Sequence, residues 1–211
     1  MDPIHEDSSR MSTGTTIIAA TFKDGVIVAS DSRASAGSWV ANRVTDKLEL
    51  LYDRIYVCRS GSASDTQTIA SYTRYYLDQF RTNYGLEPTV KNAATLLRRL
   101  IYDNKDNLTA GMIVAGWDDI EGPSVYSIPI EGSLIKDRIA LGGSGSSYIY
   151  GFVDSNYRDN MTQEECLDFI RKAVQLAISR DGYSGGFVNT AVITKDGVVK
   201  TRMYEKDFIY H

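Results

Sequence analysis

The stretch STGTTIIAATFKDGVIVASDSR, residues 12–33, contains a Gly-Thr junction, two apolar runs and a closing Asp-Ser-Arg. Its runs TTIIAATF and VIVASDSR meet at Asp24-Gly25, and Asp-Gly between apolar runs is a strong hairpin signal. A hairpin returns the chain to its start, so Thr15 and Asp31 are predicted to face one another. The same turn chemistry recurs near the other end. There FVNTAVIT, then Lys195-Asp196-Gly197, then VVKTRMY predict a second hairpin.

Between the hairpins the pattern alternates between strand and helix periods. RIYVCRSG at 54–61 follows an irregular stretch and reads as a third strand, and AGMIVAGW with SVYSIPI as a strand pair near 110–130. Ile69, Tyr72, Thr73, Tyr76 and Phe80 mark one helical stripe, and Ala93, Leu97, Leu100 and Ile101 the next. Thr162-Gln163-Glu164-Glu165 is a capping box, followed by the stripe Cys166, Phe169, Ile170, Ala173, Val174 and Ala177. A shorter helix is expected over SSYIYGFVD. Tyr72, Tyr75 and Tyr76 are assigned to helix packing, and Asp118-Asp119 to a turn. The order of hairpin, strand, two helices, strand pair, two helices, hairpin predicts an α+β fold with two sheets between two helical layers. Without repeats or linkers, residues 15–211 form one domain.

A chain of 211 residues buries roughly 70% of the surface its unfolded form exposes, enough for a core without staples. Lys plus Arg is 23 against 27 for Asp plus Glu, a net charge of −4 with a pI near 5.2. That balance argues against nucleic acid, whose phosphates need a concentrated basic face. Cys58 and Cys166 are far apart, so neither a disulfide framework nor a metal knuckle is indicated, and reduced thiols suit a cytosolic or nuclear protein. The leader MDPIHEDSSRMSTG, residues 1–14, has no apolar run and is not read as a signal peptide. No stretch is long and apolar enough to predict a membrane span. NLT at 107–109 and NMT at 160–162 are chance matches to the glycosylation pattern in a chain that is not secreted.

Histidine usage narrows the chemistry. The only two are His5 and His211, at the ends, which disfavours a Ser-His-Asp or Cys-His site and paired-histidine metal motifs. A hydrolase must then find another base. Cutting Gly14-Thr15 would give Thr15 both a hydroxyl nucleophile and a free α-amine, a known activated pair. An α-amine with a reference pKa of about 8 is free near neutral pH far more often than a lysine at about 10.4. A nearby lysine serves better as a fixed cation, stabilising an oxyanion and itself held by a carboxylate. Lys47 in NRVTDKL and Asp31 are the candidates. GGSGSS could suggest a phosphate loop, but Tyr148 breaks Gly-x-Gly-x-x-Gly and no βαβ unit surrounds it.

The segments GTT, SDSR, ANRVTDK, CRSGSASDTQ, NLTAGMIVAGWD, GGSGSSYIYG, TQEECLDFI and RDGYSGG, in that order over residues 14–186, resemble an active β-type subunit of the eukaryotic proteasome core particle. The resemblance implies an N-terminal nucleophile hydrolase with an αββα four-layer sandwich, using no cofactor and no metal. It implies that residues 1–14 are a propeptide removed by self-cleavage at Gly14-Thr15. Thr15 falls on the catalytic threonine, Lys47 on its lysine, Asp31 on the aspartate pairing with that lysine, and Arg33 on the arginine beside it. Gly61 falls on the oxyanion residue, and Ser144, Asp181 and Ser184 on the shell supporting the threonine. Arg59, two residues before Gly61, matches a specificity determinant whose arginine form goes with cleavage after acidic residues, the caspase-like activity of the first β position. Ala34, Thr45 and Ala63 fall on the rest of that pocket.

The chain departs from its relatives in DSRASAG, which puts Ala34 and Ala36 beside the pocket, in Tyr183 of DGYSGG, and over residues 187–190. These changes bear on fine specificity. A silent subunit that keeps the fold without the chemistry is one alternative, although retention of the whole residue set speaks against it. Another amidase with an N-terminal threonine is a second, and Arg59 pairing with an internal acid a third. The resemblance further implies a stacked four-ring barrel of α and β subunits, with regulatory caps, unfolded polypeptide substrates and a place in cytoplasm and nucleus.

Overall fold

The computed structural model describes residues 14–36, 39–42 and 44–210. Residues 1–13 of the leader and His211 lie outside them.

The opening hairpin pairs β1 (Ile17–Phe22) with β2 (Gly25–Ser30) in the register Ile17↔Ser30 to Phe22↔Gly25. The turn residues are therefore Lys23 and Asp24, and Gly25 already belongs to the strand, one position later than the Asp-Gly signal suggests. Gly25 is needed there for contact, because a β-carbon would strike the Ile193 carbonyl oxygen and the Phe22 ring. Gly197, which ends the Lys195-Asp196 turn of the closing hairpin, has φ +132, a conformation that side chains rarely adopt.

Among the described residues, ten further strands and four α-helices follow. The strands are β3 (Ala34–Ala36), β4 (Trp39–Asn42), β5 (Leu48–Tyr52), β6 (Ile55–Gly61), β7 (Ala110–Asp118), β8 (Gly122–Ile128), β9 (Ile135–Asp137), β10 (Ile139–Gly142), β11 (Val188–Thr194) and β12 (Gly197–Met203). The helices are α1 (Ala63–Tyr84), α2 (Val90–Asp103), α3 (Tyr150–Asn156) and α4 (Gln163–Arg180), with a 3-10 turn over Ser144–Tyr148 before α3. Two five-stranded antiparallel sheets have the orders β10-β1-β2-β11-β12 and β5-β6-β7-β8-β9, and β3 pairs with β4 in a separate two-stranded sheet.

Side-chain alternation assigns the layers. Val26 and Val28 of β2 face the second sheet, meeting Leu48, Cys58, Ile113 and Val125, while Ile27 and Ala29 face Phe169, Ile170 and Ala173 of α4. The second sheet's other face packs Val57, Met112 and Val114 on Ile69, Leu77, Ala93 and Leu97 of α1 and α2. β2 is buried along its entire length because it is covered on both faces. The result is the expected αββα sandwich.

Three sequence expectations need adjustment. The buried stripe of α1 is Thr66, Ile69, Ala70, Thr73 and Leu77, whereas Tyr72, Tyr75 and Tyr76 are 55%, 56% and 43% exposed and do not pack the core. The irregular stretch before residue 54 contains β5, whose bulge between Leu50 and Tyr52 breaks the period-2 signal. Asp118 does start a turn, with its Oδ1 accepting the Ile120 and Glu121 N–H groups, but its Oδ2 also caps α2 by accepting the Val90 N–H.

Candidate active site

The register Ile17↔Ser30 sets Thr16 opposite Asp31, and the two are joined through Thr16 N–H to Asp31 Oδ1 at 2.9 Å and Asp31 N–H to the Thr16 carbonyl at 3.1 Å. Lys47 arrives just before β5, Ser144 just after β10, and Asp181 caps the C-terminus of α4. All of these positions lie at one end of the sandwich, where strand ends from both sheets converge.

Lys47 Nζ lies 2.7 Å from Asp31 Oδ1, 2.9 Å from Thr15 Oγ1 and 3.1 Å from the Gly14 carbonyl oxygen. An ammonium has three donors, and here each has an acceptor. Thr15 Oγ1 in turn donates to the Gly14 carbonyl at 2.8 Å. The hydroxyl is therefore held beside the carbonyl that precedes it, and that carbonyl is polarised by two donors. Asp31 Oδ2 accepts the N–H groups of Gly185 at 3.1 Å and Arg33 at 3.2 Å. Burial drives the Asp31 carboxyl up, against the pull of Lys47 and the N–H donors, and drives the Lys47 ammonium down, against the pull of Asp31. The two Asp31 oxygens meet four donors and the Lys47 ammonium three acceptors, so the buried pair is compensated by hydrogen bonds within the protein.

A second carboxylate organises the other side. Asp181 Oδ2 accepts the hydroxyls of Ser144 and Ser184, both at 2.7 Å. Ser144 Oγ accepts the Thr15 N–H at 3.2 Å, and Ser184 Oγ shares a 2.8 Å hydrogen bond with Thr16 Oγ1. Thr15, Asp31, Lys47, Ser144, Asp181 and Ser184 thus form one connected network, in which Thr15 is 2%, Asp31 0% and Lys47 5% exposed.

Sequence reasoning passed over Thr16, Gly145 and Gly185. Gly145 donates its N–H to the Thr15 carbonyl at 3.1 Å, and a β-carbon on it would collide with Thr16 Oγ1. The paired threonines of GTT and paired glycines of SGG were the available signals. Arg33 donates Nη1 to the Gly182 carbonyl at 3.0 Å and lies so close to Gly185 that a β-carbon there would overlap its guanidinium.

Gly61 ends β6 with φ +110, and a β-carbon would strike the Thr109 carbonyl oxygen. It borders, with Gly143 and Ser144, a cleft of about 620 Å³ between the two sheets. Arg59 is 8% exposed and tied inward. Its Nε is 3.3 Å from Glu49 Oε2, its Nη2 donates to the Asp46 carbonyl at 2.9 Å, and its Nη1 to Thr66 Oγ1 at 3.4 Å. Arg59 therefore does not stand open in the cleft: Glu49 on the neighbouring strand already shares its charge. Ala34 is half-buried at the start of β3, Thr45 donates its N–H to the Ser32 carbonyl, and Ala63 opens α1 exposed to solvent.

The chain matches the family model described as proteasome subunit over residues 11–193. It belongs to the proteasome subunit family. It is 55% identical to the probable proteasome subunit beta type-1 of Schizosaccharomyces pombe, over 88% of this chain and 82% of that one. It is 47% identical to the proteasome subunit beta type-1 of Saccharomyces cerevisiae over 99% of both chains. With proteasome subunit beta type-6 of Arabidopsis thaliana it shares 51% identity over 90% of this chain and 81% of that one. The chain is thus a β-type proteasome subunit, and membership of that family implies assembly with other proteasome subunits.

Asp31→Asn tests the buried pair. However its amide turns, an asparagine sets an NH₂ group against two of the four N–H donors and removes the counter-charge of Lys47. Removing one partner of a buried ion pair typically costs about 3–5 kcal/mol. Thermal or urea unfolding should show a loss of that order, and an unchanged midpoint would mean that the pair is not ionic.

Proposed function

We propose that this subunit is a threonine endopeptidase that frees its own nucleophile by cutting Gly14-Thr15. The observation that carries the proposal is the single Lys47 ammonium bonded at once to Thr15 Oγ1, the Gly14 carbonyl and Asp31. A silent subunit would need none of these contacts, and a general amidase would not account for the β-type relatives.

In the first reaction Thr15 Oγ adds to the Gly14 carbonyl carbon. The hydroxyl proton passes to the Thr15 nitrogen as the C–N bond breaks, leaving an ester. Water then cleaves the ester, releasing the leader as a carboxylate and Thr15 with a free hydroxyl and amine. The negative charge on the carbonyl oxygen in both additions is stabilised by Lys47, with Gly61 assigned to the oxyanion site by its place in the motif. In the second reaction the free amine accepts the hydroxyl proton, Oγ attacks a substrate carbonyl, the departing amine takes the proton, and water hydrolyses the acyl ester. Ser144 and Ser184, both held by Asp181, keep the Thr15 nitrogen and its strand in place.

The substrates are unfolded polypeptides that reach a chamber enclosed by stacked α and β rings bearing regulatory caps, in cytoplasm and nucleus. Cleavage after acidic residues rests on Arg59 and on the beta type-1 name of two relatives. Glu49 already shares the Arg59 charge, so a substrate carboxylate is a second one there and its gain lies at the low end for charge-assisted bonds, about 1.5 kcal/mol or roughly tenfold.

Terminal sequencing of the assembled particle should find Thr15 first. Thr15→Ala and Lys47→Ala should each retain residues 1–14 and lose this subunit's turnover, Lys47→Ala by roughly 10²- to 10³-fold, as loss of a preorganised oxyanion donor does. A fully active particle that still carries the leader would defeat the mechanism.

For specificity, peptides ending in Asp, Leu and Arg should be compared on wild-type and Arg59→Met particles, after confirming that both begin at Thr15. The wild type should favour Asp by about tenfold and the variant should lose that preference. A preference that survives the substitution assigns Arg59 to structure alone.

A further inference from the structure

We infer that Tyr183 is a positioning residue for self-cleavage, its backbone and β-carbon forming the wall that holds Gly14 against the nucleophile. The inference rests on the threonine-peptidase reading above and concerns the first of its two reactions only.

A β-carbon placed on Gly14 would overlap Tyr183 Cβ and lie 2.7 Å from both its Cα and its carbonyl carbon. The last residue of the leader is therefore pressed directly on residue 183, and glycine is the one residue that fits. That wall is not free to drift, because Tyr183 donates its N–H to Asp181 Oδ1 at 3.1 Å. The other oxygen of the same carboxylate holds Ser144, which accepts the Thr15 N–H. One carboxylate thus registers both sides of the scissile bond, the nitrogen of Thr15 through Ser144 and the α-carbon of Gly14 through residue 183.

The opposite side of Gly14 is fixed by its carbonyl oxygen, which accepts from Lys47 Nζ at 3.1 Å and Thr15 Oγ1 at 2.8 Å. With the α-carbon backed by residue 183 and the oxygen held by two donors, the carbonyl has little room to rotate away from Oγ. Such restriction matters because a misplacement of about 1 Å in a reacting geometry can cost roughly 100-fold in rate. The closest approach is to Cβ and backbone, and the Tyr183 side chain reaches outward, leaving the residue 55% exposed. The wall is therefore supplied by Cβ, and the ring is dispensable for it. Once the leader has left, nothing of Gly14 remains to be held, so hydrolysis of peptides does not use this contact.

The test follows the rate at which residues 1–14 are lost, by pulse labelling and intact mass, in cells that assemble the core particle. Each variant is also made with a cleavable fusion ending directly before Thr15, so that a separate protease frees the amine. Tyr183→Ala, which keeps Cβ, should process within about threefold of wild type, and Tyr183→Gly about tenfold to a hundredfold more slowly. Both should hydrolyse peptide within about twofold of wild type when Thr15 is freed by the other protease. Gly14→Ala should block self-cleavage, and adding Tyr183→Gly should not restore it, since the Cα and carbonyl carbon of residue 183 still lie 2.7 Å from the new β-carbon. Wild-type processing in Tyr183→Gly overturns the inference. So does an equal loss of peptide hydrolysis after independent release of Thr15, which would mark residue 183 as a support of the whole site. A wild-type particle that keeps its leader yet cleaves peptide would instead overturn the underlying reading.

Discussion

The Lys47–Asp31 ion pair is the constraint around which this end of the molecule is arranged. Taking the two charges out of water costs several kcal/mol per ion, and their attraction offsets that only if the remaining lone pairs and protons are also used. Here they are. Asp31 takes Lys47 and the Thr16 N–H on one oxygen and the Arg33 and Gly185 N–H groups on the other. Those donors come from the start of β1, the exit of β2 and the loop after α4. The pair can be buried only where the opening hairpin, the strand β5 approach and the loop after α4 meet, so the fold and the site cannot be specified separately.

The same logic accounts for the glycines around the site. Gly145 and Gly185 each sit where a β-carbon would displace a functional atom, Thr16 Oγ1 in one case and the Arg33 guanidinium in the other. Packing of this density leaves little slack, which suits a site whose reacting groups belong to adjacent residues of one chain. It also makes Gly14 a requirement of contact with Tyr183, over and above any freedom its backbone needs.

Arg59 illustrates how burial changes the meaning of a charged residue. On β6 it faces Glu49 of β5 and the first turn of α1, so its charge is partly spent within the subunit. An arginine held in this way is preorganised, which lowers the entropy lost on binding a carboxylate, and it is also partly neutralised, which lowers the electrostatic gain.

Much was legible in the sequence because it is local. The 3.6 period and capping box of α4 and the two hairpins required only neighbouring residues, and the order of these and the other elements pointed to two sheets between two helical layers. Thr15, Asp31 and Lys47 followed from chemistry together with the motifs of the resemblance. The α1 stripe was misread because tyrosine is amphipathic, and period alone cannot separate an outward Tyr72 from an inward Thr73. β5 was hidden by a bulge that depends on its pairing with β6. Only the tertiary structure could decide that Glu49 meets Arg59, that Gly14 rests on Tyr183 and that Thr16 joins Ser184. Each of these joins residues brought together by loops and layers, through distances that sequence periodicity does not encode.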